Sequence, residues 1–102
     1  MSKQKIQSLE TKIRQIKQAL SQIRDMRPGS LSRQYKDPQR KKGAYYQLSY
    51  TYQMKSKTEY VRPGDLPVVR QQVAQYKRFR TLVDRWIHVA LELSRKKLRP
   101  ML

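Results

Sequence analysis

Apolar residues fall at Ile6, Leu9, Ile13, Ile16, Leu20 and Ile23, spaced three, four, three, four, three. That spacing is the a/d seam of a heptad repeat, and no Gly or Pro interrupts it. It predicts a helix over residues 3–26, on the order of 36 Å long at 1.5 Å per residue. A seam this narrow must be covered by another helix, and its simplest role is a packing face. With Ile6 as position a, the e positions are Lys3, Glu10, Lys17 and Arg24, and the g positions include Lys5 and Lys12. A parallel copy would set lysine against lysine, so an antiparallel partner helix fits better.

Arg27-Pro28-Gly29-Ser30 ends this helix, because proline cannot continue it and glycine permits a reversal. Leu31 and Tyr35 then bracket Ser32-Arg33-Gln34, which reads either as one turn of helix or as a short edge strand. Lys36 to Gly43 reads as a loop and carries Lys36, Arg40, Lys41 and Lys42. Such runs are usually just solvated; the functional alternative is a basic loop gripping phosphates.

Ala44 to Tyr52 is the most convincing strand. Alternation puts Tyr46, Leu48, Tyr50 and Tyr52 on one face, the expected core face, and Tyr45, Gln47, Ser49 and Thr51 on the other. A second strand is expected over Thr58-Glu59-Tyr60-Val61. A loop of Gln53 to Lys57 would oppose Tyr50 with Tyr60, and a shorter one, Gln53 to Ser56, would oppose Tyr50 with Glu59. The first is the expected register, because it makes an aromatic cross-strand pair. Two strands alone are marginal, so a helix must cover one face.

Arg62-Pro63-Gly64-Asp65 reads as a turn, with Asp65 as N-cap of a helix over residues 66–98. Its apolar stripe runs Val69, Val73, Tyr76, Phe79, Val83, Trp86, Ala90 and Leu93, with Leu82, Ile87, Val89 and Leu91 beside it. An extra step of three near Arg78-Phe79 breaks the heptad and predicts a local change of twist or partner. The basic end, Arg95 to Pro100, suits the negative end of the helix dipole.

Charge narrows the function. Lys and Arg number 24 against seven Asp and Glu, a net +17 over 102 residues. The excess is +4 in residues 1–26, +6 in 27–65 and +7 in 66–102, so it is no tail. A polycation spread along a whole fold repels itself unless counter-charge arrives, and nucleic acid is the commonest partner. On the second helix Arg70 and Lys77, then Arg78 and Arg85, recur at sevens. With Arg80 they are expected to form a basic flank that follows a phosphate backbone without reading sequence. Tyr45, beside Lys41 and Lys42, is the tyrosine expected to face outward, where it could stack on an unpaired base or instead pack under the N-terminal segment.

Other chemistries find little support. With no cysteine there is no disulfide or thiolate metal site. The carboxylates Glu10, Asp25, Asp37, Glu59, Asp65, Asp84 and Glu92 form no recognisable pair or two-metal cluster. His88, the only histidine, lies between Ile87 and Val89 and reads as a packing or partly exposed residue. No phosphate-binding glycine loop or Ser/His/Asp arrangement is present. No catalytic residue, metal or cofactor is expected. No apolar run approaches a membrane span, and the start Met-Ser-Lys-Gln-Lys is not that of a signal peptide. The cytoplasm, of a prokaryote, is the expected compartment.

Pro28-Gly29-Ser30-Leu31, Gly43-Ala44-Tyr45-Tyr46-Gln47-Leu48-Ser49-Tyr50, Tyr60-Val61 and Val69 to Leu82 together resemble a family of small prokaryotic proteins of unassigned function. Members tend to occur beside transposase genes and other mobile elements. The resemblance covers roughly residues 27–95. Typical members carry clustered cysteines before the tyrosine strand and then a His-Gly-Pro-Tyr-Tyr run. Here the loop has no cysteine and the run is Lys42-Gly43-Ala44-Tyr45-Tyr46. The resemblance implies a mobile-element setting and a hairpin flanked by helices, and supplies no catalytic residue.

The expected fold is α+β, mainly α, in one domain over 1–102: two long antiparallel helices with a two-stranded tyrosine-rich hairpin between them. The expected function is a non-enzymatic accessory protein binding DNA or RNA, within a mobile-element or RNA-guided nucleoprotein complex that supplies a larger protein partner. The alternative is a coiled-coil adaptor docking its seam on a larger enzyme such as a transposase or nuclease. Homodimerisation is left open.

Overall fold

The computed structural model describes residues 2–98. In chain order it has α1 (Ser2–Leu20), β1 (Ser30–Asp37), β2 (Lys42–Tyr52), β3 (Lys55–Val61), a 3-10 turn (Pro63–Asp65) and α2 (Leu66–Lys97). Two compact units result. One takes residues up to Ile23 and from Arg78 onward, the other Arg24–Lys77.

In the helical unit, Leu9 and Ile16 of α1 are buried with Leu82 and Val89 of α2. Ile13, Ala19, Leu20, Ile23, Trp86 and Leu93 pack against them. The heptad seam is therefore covered by the chain's own second helix. Lys5 pairs with Glu92, and Lys17 sits over the Trp86 ring at 5.3 Å. The first half of α1 thus meets the last turns of α2, at Glu92 and Lys97, and its end meets Trp86 earlier in α2, so the helices run antiparallel. Glu10 at an e position accepts from Lys97 Nζ at 3.2 Å. The packed row on α2 is Leu82, Trp86, Val89 and Leu93, whereas Val83 and Ala90 of the expected stripe are only half-buried. Both rows have heptad spacing and share Trp86 and Leu93; the face that meets α1 is turned by one residue, so that Leu82 and Val89 are buried in place of Val83 and Ala90.

α1 stops at Leu20, not at residue 26. The N–H groups of Gln22 and Ile23 donate three residues back, to Ala19 and Leu20, which tightens the last turn. Farther on, backbone donors are taken by α2 within the other unit: Arg24 N–H donates to Gln75 Oε1 at 2.9 Å, and Arg27 N–H to the Gln72 carbonyl at 3.1 Å. Arg99 and Pro100 of the expected basic helix end lie outside the described residues.

The sheet unit overturns the two-stranded expectation. Its sheet has three antiparallel strands in the order β1-β2-β3. β1 is the segment Leu31 to Tyr35 extended at both ends. Its signal is weak because Arg33 separates its two inward apolar residues, and Arg33 lies over the Tyr35 ring at 5.4 Å. The chain reaches β1 through Gly29 at φ 126°, hard against β2. A Cβ there would stand 2.6 Å from the Ser49 carbonyl oxygen, so no other residue fits without a shift.

The hairpin register also differs from the expected one. Tyr46 opposes Val61, Leu48 opposes Glu59 and Tyr50 opposes Lys57. The loop is only Gln53-Met54, with φ 52° and 64°. Two left-handed residues make the type I′ turn that matches strand twist, but without the Asn-Gly pair that usually marks it. The shift carries Tyr60 to the face opposite Tyr50. On the covered face Leu48 is fully buried with Val61, Val69 and Val73, and Leu31, Tyr46, Tyr50 and Leu66 pack around them. Tyr52, expected in the core, is 61% exposed, because it lies next to the turn and beyond the apolar cluster.

α2 serves both units in turn. Val69 and Val73 are buried in the sheet unit, and Leu82 and Val89 in the helical unit. The partner changes near Lys77-Arg78, where the heptad breaks.

Candidate nucleic-acid interface

In the helical unit a groove of about 740 Å³ opens beside the buried seam. Its apolar floor includes Ile16, Ala19, Leu82 and Val89, and its polar edges include Gln15 and Thr81. Lys12 of α1 and Arg78, Arg85 and His88 of α2 line it, with Asp84 as the one carboxylate. The physical reason for this cluster is helical phase. Arg78, Arg85 and His88 are seven and three residues apart and share one side of α2, while Lys12 is a g-position residue on the facing helix. Lys12, Arg78, Arg85 and His88 are all exposed.

Such an arrangement is a cationic trough with donors of fixed spacing on a continuous helix. It can line up on successive phosphates without contacting bases. Arg78 and Arg85 are brought together as expected. Arg80 is not with them: two residues on from Arg78, it is turned about 200° around the helix and is absent from the groove lining. Lys12 and His88 were not expected there. The heptad position of Lys12 is a usable signal in retrospect, but pairing it with Arg85 requires knowing how the helices are staggered.

In the sheet unit the other expected residues fare differently. Arg70 lies over the Tyr46 ring at 5.4 Å and its guanidinium donates to Tyr46 Oη at 3.3 Å, so its first role is to seat α2 on the sheet. Lys77 is exposed on the same helix. The expected loop is shorter than read, because Lys36 belongs to β1 and Lys42 to β2. Arg40 folds back on Asp37, its N–H donating to Oδ1 at 3.3 Å and its Nε standing 3.9 Å from Oδ2. Lys41, at φ 53°, and Lys42 are exposed. Tyr45 is half-buried on the outer sheet face, where its ring lies 6.4 Å from that of Tyr60.

Arg27, by contrast, is a structural cation. It pairs with Glu59, lies over the Tyr50 ring at 5.5 Å, and Tyr50 Oη donates to Glu59 at 3.5 Å. Other carboxylates are similarly engaged, Asp65 by Arg62 at 2.9 Å and Glu92 by Lys5 at 3.8 Å. Asp65, expected as an N-cap, closes the 3-10 turn before α2. Among the described residues, no helix is long and apolar enough to cross a membrane.

Helix, three-stranded antiparallel sheet and long helix, strongly basic throughout, define a small α+β protein. The chain belongs to the family described as a domain of unknown function (DUF6788), whose model matches residues 3–71. A family of unassigned function was the expectation, although the match starts and ends earlier than residues 27–95. It takes in α1, the sheet and the start of α2. No curated protein and no solved structure matches the chain.

Proposed function

We propose that this protein is a non-enzymatic accessory factor that binds DNA or RNA through the phosphate backbone. The observation that carries the reading is the convergence of Lys12, Arg78 and Arg85 from two helices along one open groove, in a chain of net +17. A solvated basic face would not require cations of two helices to line a common trough. The burial of Leu9 and Ile16 within the chain favours this reading over an adaptor docking through that seam. The resemblance to proteins encoded beside mobile elements supports a setting in a transposase-linked or RNA-guided nucleoprotein complex, in a prokaryotic cytoplasm, with a larger protein as partner.

The test is the salt dependence of binding to a labelled duplex and a labelled single strand. Replacing Arg78→Glu and Arg85→Glu together should lower affinity for every sequence tried. It should also reduce the slope of log K against log salt by about two, one for each lost phosphate contact. Arg80→Glu should have the smaller effect on the slope. Unchanged affinity and slope in the double variant would remove the groove from the account.

A further inference from the structure

The outer face of the three-stranded sheet carries a second kind of surface. Alternation and register place Ser32, Gln34 and Lys36 of β1, Tyr45, Gln47, Ser49 and Thr51 of β2, and Ser56, Thr58 and Tyr60 of β3 on it. Tyr60 is 61% exposed and Ser49, Thr51, Ser56 and Thr58 are exposed, so this face is open to solvent. The hydroxyls bond to one another across the strands, Ser49 to Thr58 at 3.3 Å and Thr51 to Ser56 at 3.1 Å. They make this part of the face polar. Tyr45 and Tyr60 are its only large apolar groups, and they adjoin, tilted 39° to each other.

Two features give this aromatic pair a chemical direction. Gly43 allows Lys36 to lie across the central strand: a Cβ on Gly43 would meet the Cβ, Cγ and Cδ of Lys36 at 3.0 to 3.4 Å. The Lys36 stem is thus laid beside the position two before Tyr45, on the same face. The β1–β2 loop with Arg40 and Lys41 closes the same end of the sheet, next to Lys42. Aromatic rings bordered by lysines and by amides (Gln34 opposite Tyr45, Gln47 opposite Tyr60) match a chain of flat bases joined by anionic linkers.

We propose, on the nucleic-acid reading above, that this face is a stacking platform for unpaired bases, so that the sheet unit takes single-stranded nucleic acid in preference to duplex. One base stacks on the exposed Tyr60 ring, Tyr45 supports Tyr60 and extends the surface, and Lys36 with Lys41 of the loop holds the adjoining phosphates. Duplex bases are already stacked and paired, and cannot offer a face to either ring.

The experiment is fluorescence anisotropy at one fixed salt concentration, with an oligothymidylate, an oligouridylate and a duplex of mixed sequence as probes, on the full chain. Tyr60 is exposed, so Tyr60→Ala and Tyr60→Leu should leave the fold intact, as circular dichroism would verify. Both should weaken single-strand binding by about five- to a hundred-fold, the loss of one base–ring stack. Tyr60→Phe should bind like the wild type, and duplex affinity should stay within about two-fold in all three. Equal loss on single strand and duplex, or no loss on single strand while the wild type binds, would overturn the platform and leave phosphate binding standing. A wild-type chain that binds none of the probes would refute both.

Discussion

Gly29→Ala is the substitution whose cost the structure defines most sharply. At φ 126° an alanine occupies a region that L residues rarely adopt, which alone costs on the order of 1–3 kcal/mol. The new methyl would stand 2.6 Å from the Ser49 carbonyl oxygen and 3.0 Å from Leu48 Cδ1 and Tyr50 Cβ. The first contact is with backbone of the central strand, which cannot swing aside as a flexible side chain could. β1 must therefore lift from β2 near the Ser30–Ser49 pair, and a total loss of about 3 kcal/mol or more is expected. For a chain this small that corresponds to roughly 12–24 °C in Tm. Urea unfolding followed by far-ultraviolet circular dichroism measures it; fluorescence of Trp86 would report on the helical unit instead. Gly64→Ala is the matched control. A Cβ there meets nothing within 4 Å and its φ is ordinary, so a change of at most about 1 kcal/mol, toward stability, is expected. If the two glycines cost the same, or Gly29→Ala unfolds within about 0.5 kcal/mol of wild type, the close approach of Gly29 to β2 is wrong.

Leu48 is fully buried at the centre of the sheet unit, so Leu48→Ala should cost about 2–5 kcal/mol in the same unfolding assay, and a smaller loss would mean the cluster around it collapses readily. Replacing Gln53-Met54 by Asn-Gly supplies residues suited to two positive φ values and should stabilise the hairpin by about 0.5–2 kcal/mol, read as a higher urea midpoint with an unchanged slope. A five-residue loop, as the longer register requires, would show no such gain. A double-mutant cycle on Arg27 and Glu59, both more than one-third exposed, should return a coupling of about 1 kcal/mol or less, because water screens the pair; a value several times larger would mean the triad with Tyr50 is far better shielded than its exposure indicates.

Local chemistry alone determines much of this protein. A Gly- and Pro-free heptad seam over Ile6 to Leu20 can be little but a helix in want of a cover, and the break at Arg78-Phe79 announces that α2 changes partner. Alternation sorts Tyr46, Leu48 and Tyr50 from Tyr45 and Gln47 correctly, since period two is a property of any strand. The excess of cations is legible too, and the proposal of a nucleic-acid partner rests on it. Tertiary structure decided the rest. β1 is an edge strand whose hydrogen bonds and Gly29 approach come from β2, and a segment with Arg33 at its centre carries no apolar run to betray it. The register followed from a two-residue turn that Gln53-Met54 does not advertise, and a slip of an odd number of residues moved Tyr60 to the open face. Arg27 and Arg70 are engaged by tyrosine rings distant in sequence, Arg27 half-buried on Tyr50 and Arg70 exposed on Tyr46. Lys12 met Arg78 and Arg85 only because the helices are staggered as they are. Periodicity and charge belong to single segments and can be read from them; pairing, stagger and neutralisation depend on which segments meet.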